Sequence, residues 1–182
     1  MSEFHCLEPL ALASFLERRR ASPSFPLELN LAEQLTAVLR KANEFVPSEA
    51  GSILLDNPTE KKKRRQENTL TFIAAFGPKS RGLVGRRIPA DKGIVGESAQ
   101  SRTLINVPDC YADPRFNRAI DKQTGYKSRC MLTIPLIGYE DSLVGVLQIL
   151  NKIDGVFDEQ DEYIGQALAA QAAVVLHRAK IT

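Results

Sequence analysis

The run from Leu143 to Leu150 constrains this chain more than any other stretch. Leu143, Val144, Val146, Leu147, Ile149 and Leu150 make it apolar on both faces, and a short β-rich run of that kind reads as a central strand covered above and below. Residues 138–142 before it form a hairpin-length turn that joins it to a second candidate strand, 130–137, beginning at Cys130. Further strand candidates are 52–56, 69–76 and 104–107, the first two separated by a long polar connection. That connection carries five consecutive bases, Lys61-Lys62-Lys63-Arg64-Arg65. With Glu60 and Glu67 beside them and no interleaved aromatic residue, they read as a solvated hairpin loop rather than a nucleic-acid platform.

Helices bracket these strands. Leu31, Leu35, Val38, Ala42 and Phe45 are spaced 4-3-4-3, with Asn30 as N-cap, Glu33 three residues later, and Leu39 and Val46 widening the seam. The chain closes with an Ala-rich helix over about 158–180, with Ile164, Leu168, Gln171 and Val175 at 4-3-4 spacing. Between the strands, Gly93-Ile94-Val95-Gly96 opens a helical stretch to residue 102, and a shorter helical turn is expected over 114–119. The class is therefore α+β, with a central antiparallel sheet of about six strands. A Pro/Ser break (Ser22, Pro23, Ser24, Pro26) separates residues 1–26, a helical extension over 7–20 plus linker, from one domain over 27–182.

Composition excludes whole classes of function. Apolar residues at 43% and charged residues at 25% are those of a globular chain. The 24 bases against 22 acids leave no basic field for a nucleic acid or an anionic membrane. No apolar run reaches the ~20 residues of a membrane span, and the N-terminus lacks a secretory pattern. Cys6, Cys110 and Cys130 are odd in number and form no CxxC pair, as expected of a reduced, cytoplasmic protein. His5 and His177 lie near the two ends, so no central histidine serves as base or metal ligand, and neither catalysis nor a cofactor is expected.

Two local groups bear on binding. Gly93 and Gly96 at a helix start fit either an anion held by free backbone N–H groups or simple turn geometry. Asp121, Thr124 and Ser128 share one short segment. They suit the polar edge of a heterocycle or sugar, although on the residues alone helix and loop capping is the better reading.

A combination of motifs goes further. Asn151-Lys152, then Phe157, then Asp161-Glu162 resembles the spaced Asn-Lys…Phe…Asp-Glu signature of GAF domains that bind cyclic nucleotides. The stretch Arg87 to Gly96, Asn106-Val107-Pro108-Asp109, Asp113-Pro114-Arg115-Phe116 and Thr124-Gly125-Tyr126 are similar to the same family. The resemblance covers roughly residues 31–180 and is to the regulatory GAF domains of cyclic-nucleotide phosphodiesterases and bacterial adenylyl cyclases. It implies a sheet with N- and C-terminal helices on one face, and a small ligand buried under lid helices and loops on the other. It places the ligand phosphate at the backbone of Ile94 and Val95, the purine at Ser52 and Phe76, and lid contacts at Asp121, Thr124 and Ser128. Gln148 stands where the family often has a ligand-facing acid, and Gly77 replaces an acid that reads the base in guanine-selective members. An amide offers donors and an acceptor, so either a changed purine preference or a loss of binding is expected. The signature itself is expected to be scaffold, with Lys152 and Asp161 paired and Asn151 fixing a turn.

The resemblance thus implies a regulatory sensor for cAMP or cGMP that signals through the helices of a homodimer. The alternatives are a ligand-free dimerisation module, its terminal helices bundled in parallel with a partner's, and a free methionine sulfoxide reductase. The last needs grouped cysteines, and Cys6 lies far from Cys110 and Cys130 in the sequence. No effector segment follows Thr182, so output is expected through a partner or from a longer chain.

Overall fold

A computed structural model describes residues 3–8, 11–12, 25–56 and 68–181. Of the helix expected over 7–20, Ala11 and Leu12 are helical; most of the remainder, like the basic run 61–65, lies outside the described residues. The strands are β1 (Phe4–Cys6), β2 (Ser48–Asp56), β3 (Thr69–Phe76), β4 (Arg87–Pro89), β5 (Ile105–Val107), β6 (Met131–Ile137) and β7 (Leu143–Lys152). The helices are α1 (Phe25–Phe45), α2 (Ser80–Leu83), α3 (Gly93–Ser101), α4 (Ala119–Thr124) and α5 (Glu159–Ile181). All strand pairs are antiparallel, in the order β1-β3-β2-β7-β6-β5, with β4 added to β3. The run that is apolar on both faces is indeed central: β7 lies between β2 and β6.

The sheet has seven strands, because β1 and β4 are three-residue edge strands with no apolar run to announce them. Strand alternation then sorts side chains between two layers. Ile53, Leu55, Ile73, Leu132, Ile134, Leu147 and Ile149 join one core with α1 and α5. Leu54, Leu70, Phe72 and Val146 join another with Ala90, Val95 and Ala99, and Met131 packs with Ile94 and Cys110. Phe4 of β1 stacks on Phe76 with ring centroids 5.3 Å apart, which seats the end of β3.

Three local expectations change. Helix α1 starts at Phe25, five residues before Asn30; Pro26 sits in its first turn, where a missing N–H costs nothing. Leu31, Leu35, Val38, Leu39, Ala42 and Val46 are buried, whereas Phe45 is 58% exposed. The helix ends at Phe45, and Val46, its N–H bonded to the Ala42 carbonyl at 2.8 Å, completes the inward stripe instead. In α5 the buried stripe is Leu168, Ala169, Ala172, Ala173 and Leu176, with Gln171 on the outside. Pairs of alanines turn inward because small side chains let α5 lie close to α1 and the sheet. The helical turn expected over 114–119 forms instead as α4, and Asn117 Oδ1 accepts the Ala119 N–H at its start. Among the described residues no helix is long and apolar enough to cross a membrane.

Candidate functional site

The face of the sheet away from α1 and α5 does not close completely. β2, β3, β6 and β7 form the floor of a cavity roofed by α2, β4, the start of α3, and the segment from Phe116 to Ser128. The atom-free space between floor and roof, open solvent at the mouth included, is about 890 Å³. Phe72, Phe76, Ile88, Phe116, Met131 and Leu150 give it apolar walls. Ser52, Phe76, Ile94, Val95, Asp121, Thr124, Ser128 and Gln148 are all brought to this lining. Gly77 is not. It lies just beyond β3 at φ +116, its carbonyl accepts the Ser80 N–H and hydroxyl, and a Cβ there would sit 2.7 Å from the Glu49 carbonyl oxygen.

At one wall, α3 begins without a side-chain cap. Its ladder opens with Gly96 N–H to the Lys92 carbonyl at 3.0 Å, so the Ile94 and Val95 amides precede it and point the positive end of the helix toward this corner. Both glycines are required here. Gly93 has φ +71, and a Cβ on Gly96 would meet the Asp91 carbonyl carbon at 2.6 Å. The side chains of Ile94 and Val95 are buried.

The polar residues of the roof are largely committed to one another. The Asp121 carboxylate accepts the Ser128 hydroxyl (2.8 Å), the Ser128 N–H (2.7 Å) and the Tyr111 hydroxyl (2.8 Å). That last bond holds the Tyr111 phenol above its ordinary range. Thr124 donates to the Ile120 carbonyl at 2.9 Å and accepts the Tyr126 N–H at 3.2 Å. In the floor, the Gln148 amide donates to Met131 Sδ (3.1 Å) and Thr133 Oγ1 (3.4 Å). Hydrogen bonds and the apolar packing of α3 and Phe116 together fix the shape of the roof.

The signature residues stand behind this roof. Asn151, at φ +57, accepts the Arg129 and Cys130 N–H groups and donates to the Lys127 carbonyl, the Tyr126 hydroxyl and Glu49. Burial, then the bond to Glu49, pushes the Tyr126 phenol upward. Lys152 Nζ lies 2.5 Å from Asp161 and 3.5 Å from Asp158. Asp158 and Asp161 exchange backbone N–H to carboxylate bonds of 2.9 Å at the start of α5, a reciprocal cap. Asn106 of β5 donates to the Phe157 carbonyl and to Glu162, and Phe157 is buried.

Sequence reading missed Tyr111, Arg129 and Glu49, whose partners are distant in the chain. It also missed the apolar walls Met131 and Leu150, which were accessible as the same-face neighbours of Gln148 on paired strands (Met131 opposite Leu150). Cys110 and Cys130 are buried, and burial pushes the Cys110 thiol up to about 12. Among the described residues no three His, Cys, Asp or Glu side chains cluster as a metal site.

An antiparallel sheet is sealed by helices on one side and carries a roofed cavity on the other, an architecture shared with domains of the regulatory and sensory kind. The family model for the GAF domain matches residues 30–176, and the chain belongs to that family. It is similar to the cGMP-specific 3',5'-cyclic phosphodiesterases of Drosophila virilis and Drosophila melanogaster, 46% identical over 76 residues to each. Those matches cover 41% of this chain, and only 8% and 7% of the relatives' length. Among solved structures, the GAF domain of a phosphoenolpyruvate-protein phosphotransferase from Coxiella burnetii superposes with TM-score 0.69 at 21% identity, covering 95% of each chain. The type II free methionine-R-sulfoxide reductase of Thermoplasma acidophilum gives TM-score 0.66 at 16% identity, over 84% of this chain and 96% of that one. At these identities the likeness concerns the fold.

Proposed function

We propose that this domain is a non-enzymatic cytoplasmic sensor whose cavity binds a purine cyclic nucleotide, cAMP or cGMP, and whose terminal helices carry the signal through a homodimer. The observation that carries the reading is the pairing of apolar, phenylalanine-bearing walls with an uncapped helix start in one roofed cavity. A cyclic nucleotide is a flat heterocycle joined to a single negative charge. The walls suit the ring, and the Ile94 and Val95 amides suit the charge. With its NH2 group engaged by Met131 and Thr133, the Gln148 amide in the floor supplies its carbonyl oxygen as an acceptor for a base edge. The phosphodiesterase relatives, named as specific for cGMP, support the same ligand class. Titration calorimetry with each nucleotide is the test. Saturable heat with one of them is expected, and neither heat nor a thermal shift with either overturns the reading.

A second reading, a ligand-free dimerisation module, draws on side chains left outside the core, Tyr163 at 76% and Val174 at 40% exposure on α5. The helical seams themselves pack within the chain, α1 against α5 and the sheet. A stable dimer by sedimentation, with no nucleotide bound, favours this second reading.

A further inference from the structure

We propose that Arg129 is a positioning residue that yokes the roof of the cavity to the first turn of α5. The inference rests on the cavity being the ligand site and concerns how that site is regulated. On the cavity side, the neighbouring Ser128 gives both its N–H and its hydroxyl to Asp121, and both residues line the cavity. On the other side, the Arg129 guanidinium donates to the Lys152 carbonyl at 2.7 Å and the Gly155 carbonyl at 2.9 Å. Those carbonyls bracket the turn between β7 and α5. Lys152 then reaches Asp158 and Asp161, which cap α5. A path that alternates polar contacts with short covalent links, Ser128 to Arg129 and along Lys152, therefore runs from the cavity to the helix.

Asn151 has a different task. It hangs the roof backbone on the end of β7, inside the sheet, and so links the roof to a rigid frame. Arg129 grips the turn beyond the sheet, where Asp154 and Gly155 are left-handed and Ile153 and Val156 are exposed. Little core packing fixes this turn, so polar contacts locate it. A planar fork reaching two carbonyls at once is a task for arginine, since a lysine ammonium is a single point on a flexible stem.

The test is amide exchange on the full chain without ligand. Asp161→Asn removes the charge that pairs with Lys152 and leaves an amide oxygen to accept the Asp158 N–H. It is expected to speed exchange at residues 127–130 by roughly tenfold, the size of a typical coupling between contacting groups. In an Arg129→Met background the same change should leave those amides where Arg129→Met alone put them, while α5 still loosens. Arg129→Lys should restore only part of the coupling. Equal acceleration in both backgrounds, or none in either, overturns the yoke. Asp158→Asn is the milder cut if Asp161→Asn fails to fold. With cAMP or cGMP as probe, Arg129→Met should hasten dissociation more than it slows association. If neither nucleotide binds, the ligand reading falls, while the exchange result still decides the role of Arg129.

Discussion

The two faces of the sheet are built from alternate residues of the same strands, yet they solve opposite problems. On the helix face, Ile53, Leu132, Leu147 and Ile149 meet α1 and α5 in a continuous apolar core. On the roof face, Ser52, Met131, Gln148 and Leu150 border a cavity, and the cover is held around it by two smaller apolar clusters together with hydrogen bonds. A filled core gives stability, and an unfilled one gives a place to bind. The difference teaches that stability and binding can be separated by the parity of a residue within a strand.

Substitutions should break that separation unequally. Leu132→Ala, on the filled face, is expected to cost about 2–5 kcal/mol in urea unfolding, the usual range for a buried leucine. Gly93→Ala puts a side chain at φ +71 with its Cβ 3.2 Å from the Asn117 Cβ. It should cost about 1–2 kcal/mol in the same measurement and weaken nucleotide binding in calorimetry by disturbing the α3 start. Asp161→Asn, in the first turn of α5, should cost up to about 1 kcal/mol through the lost ion pair with Lys152. Ser52→Ala, on the cavity floor, should alter stability by less than about 0.5 kcal/mol yet change the measured preference between cAMP and cGMP. Equal stability losses for Leu132→Ala and Ser52→Ala would erase the distinction.

Acid offers a gentler probe. The Asp161 backbone N–H, with help from the Lys152 charge, holds the Asp158 carboxyl below its usual value. Because the folded-state value is depressed, this contribution is present above the unfolded value near ~4 and is lost as pH falls through the folded one. Melting temperature followed downward from about pH 5 should decline less steeply in Asp158→Asn than in the native chain.

Much of the helix face was legible from the sequence. Leu143–Leu150 announced a central strand, and Leu31, Leu35 and Val38 announced an inward helix face, because apolar period reports burial directly. The roof was legible only in part. Asp121 and Ser128 were visible as polar residues in one segment, but their commitment to each other and to Tyr111 was not. Nothing local distinguishes a carboxylate facing a ligand from one already satisfied by its neighbours. Phe45 and Gln171 show the same limit in helices: periodicity names a stripe, but the end of the helix and the size of its neighbours decide which residues occupy it.

By itself the sequence determined the α+β layering, the central strand and the spaced Asn-Lys…Phe…Asp-Glu signature, since all three are patterns of short range. Only the tertiary structure decided that one face stays open, and that Asn151 reaches Glu49 across 102 residues while Arg129 grips the turn before α5. Side-chain period is a local property of the backbone. A hydrogen-bond partner, or a space left unfilled, depends on which distant strands and loops arrive beside it.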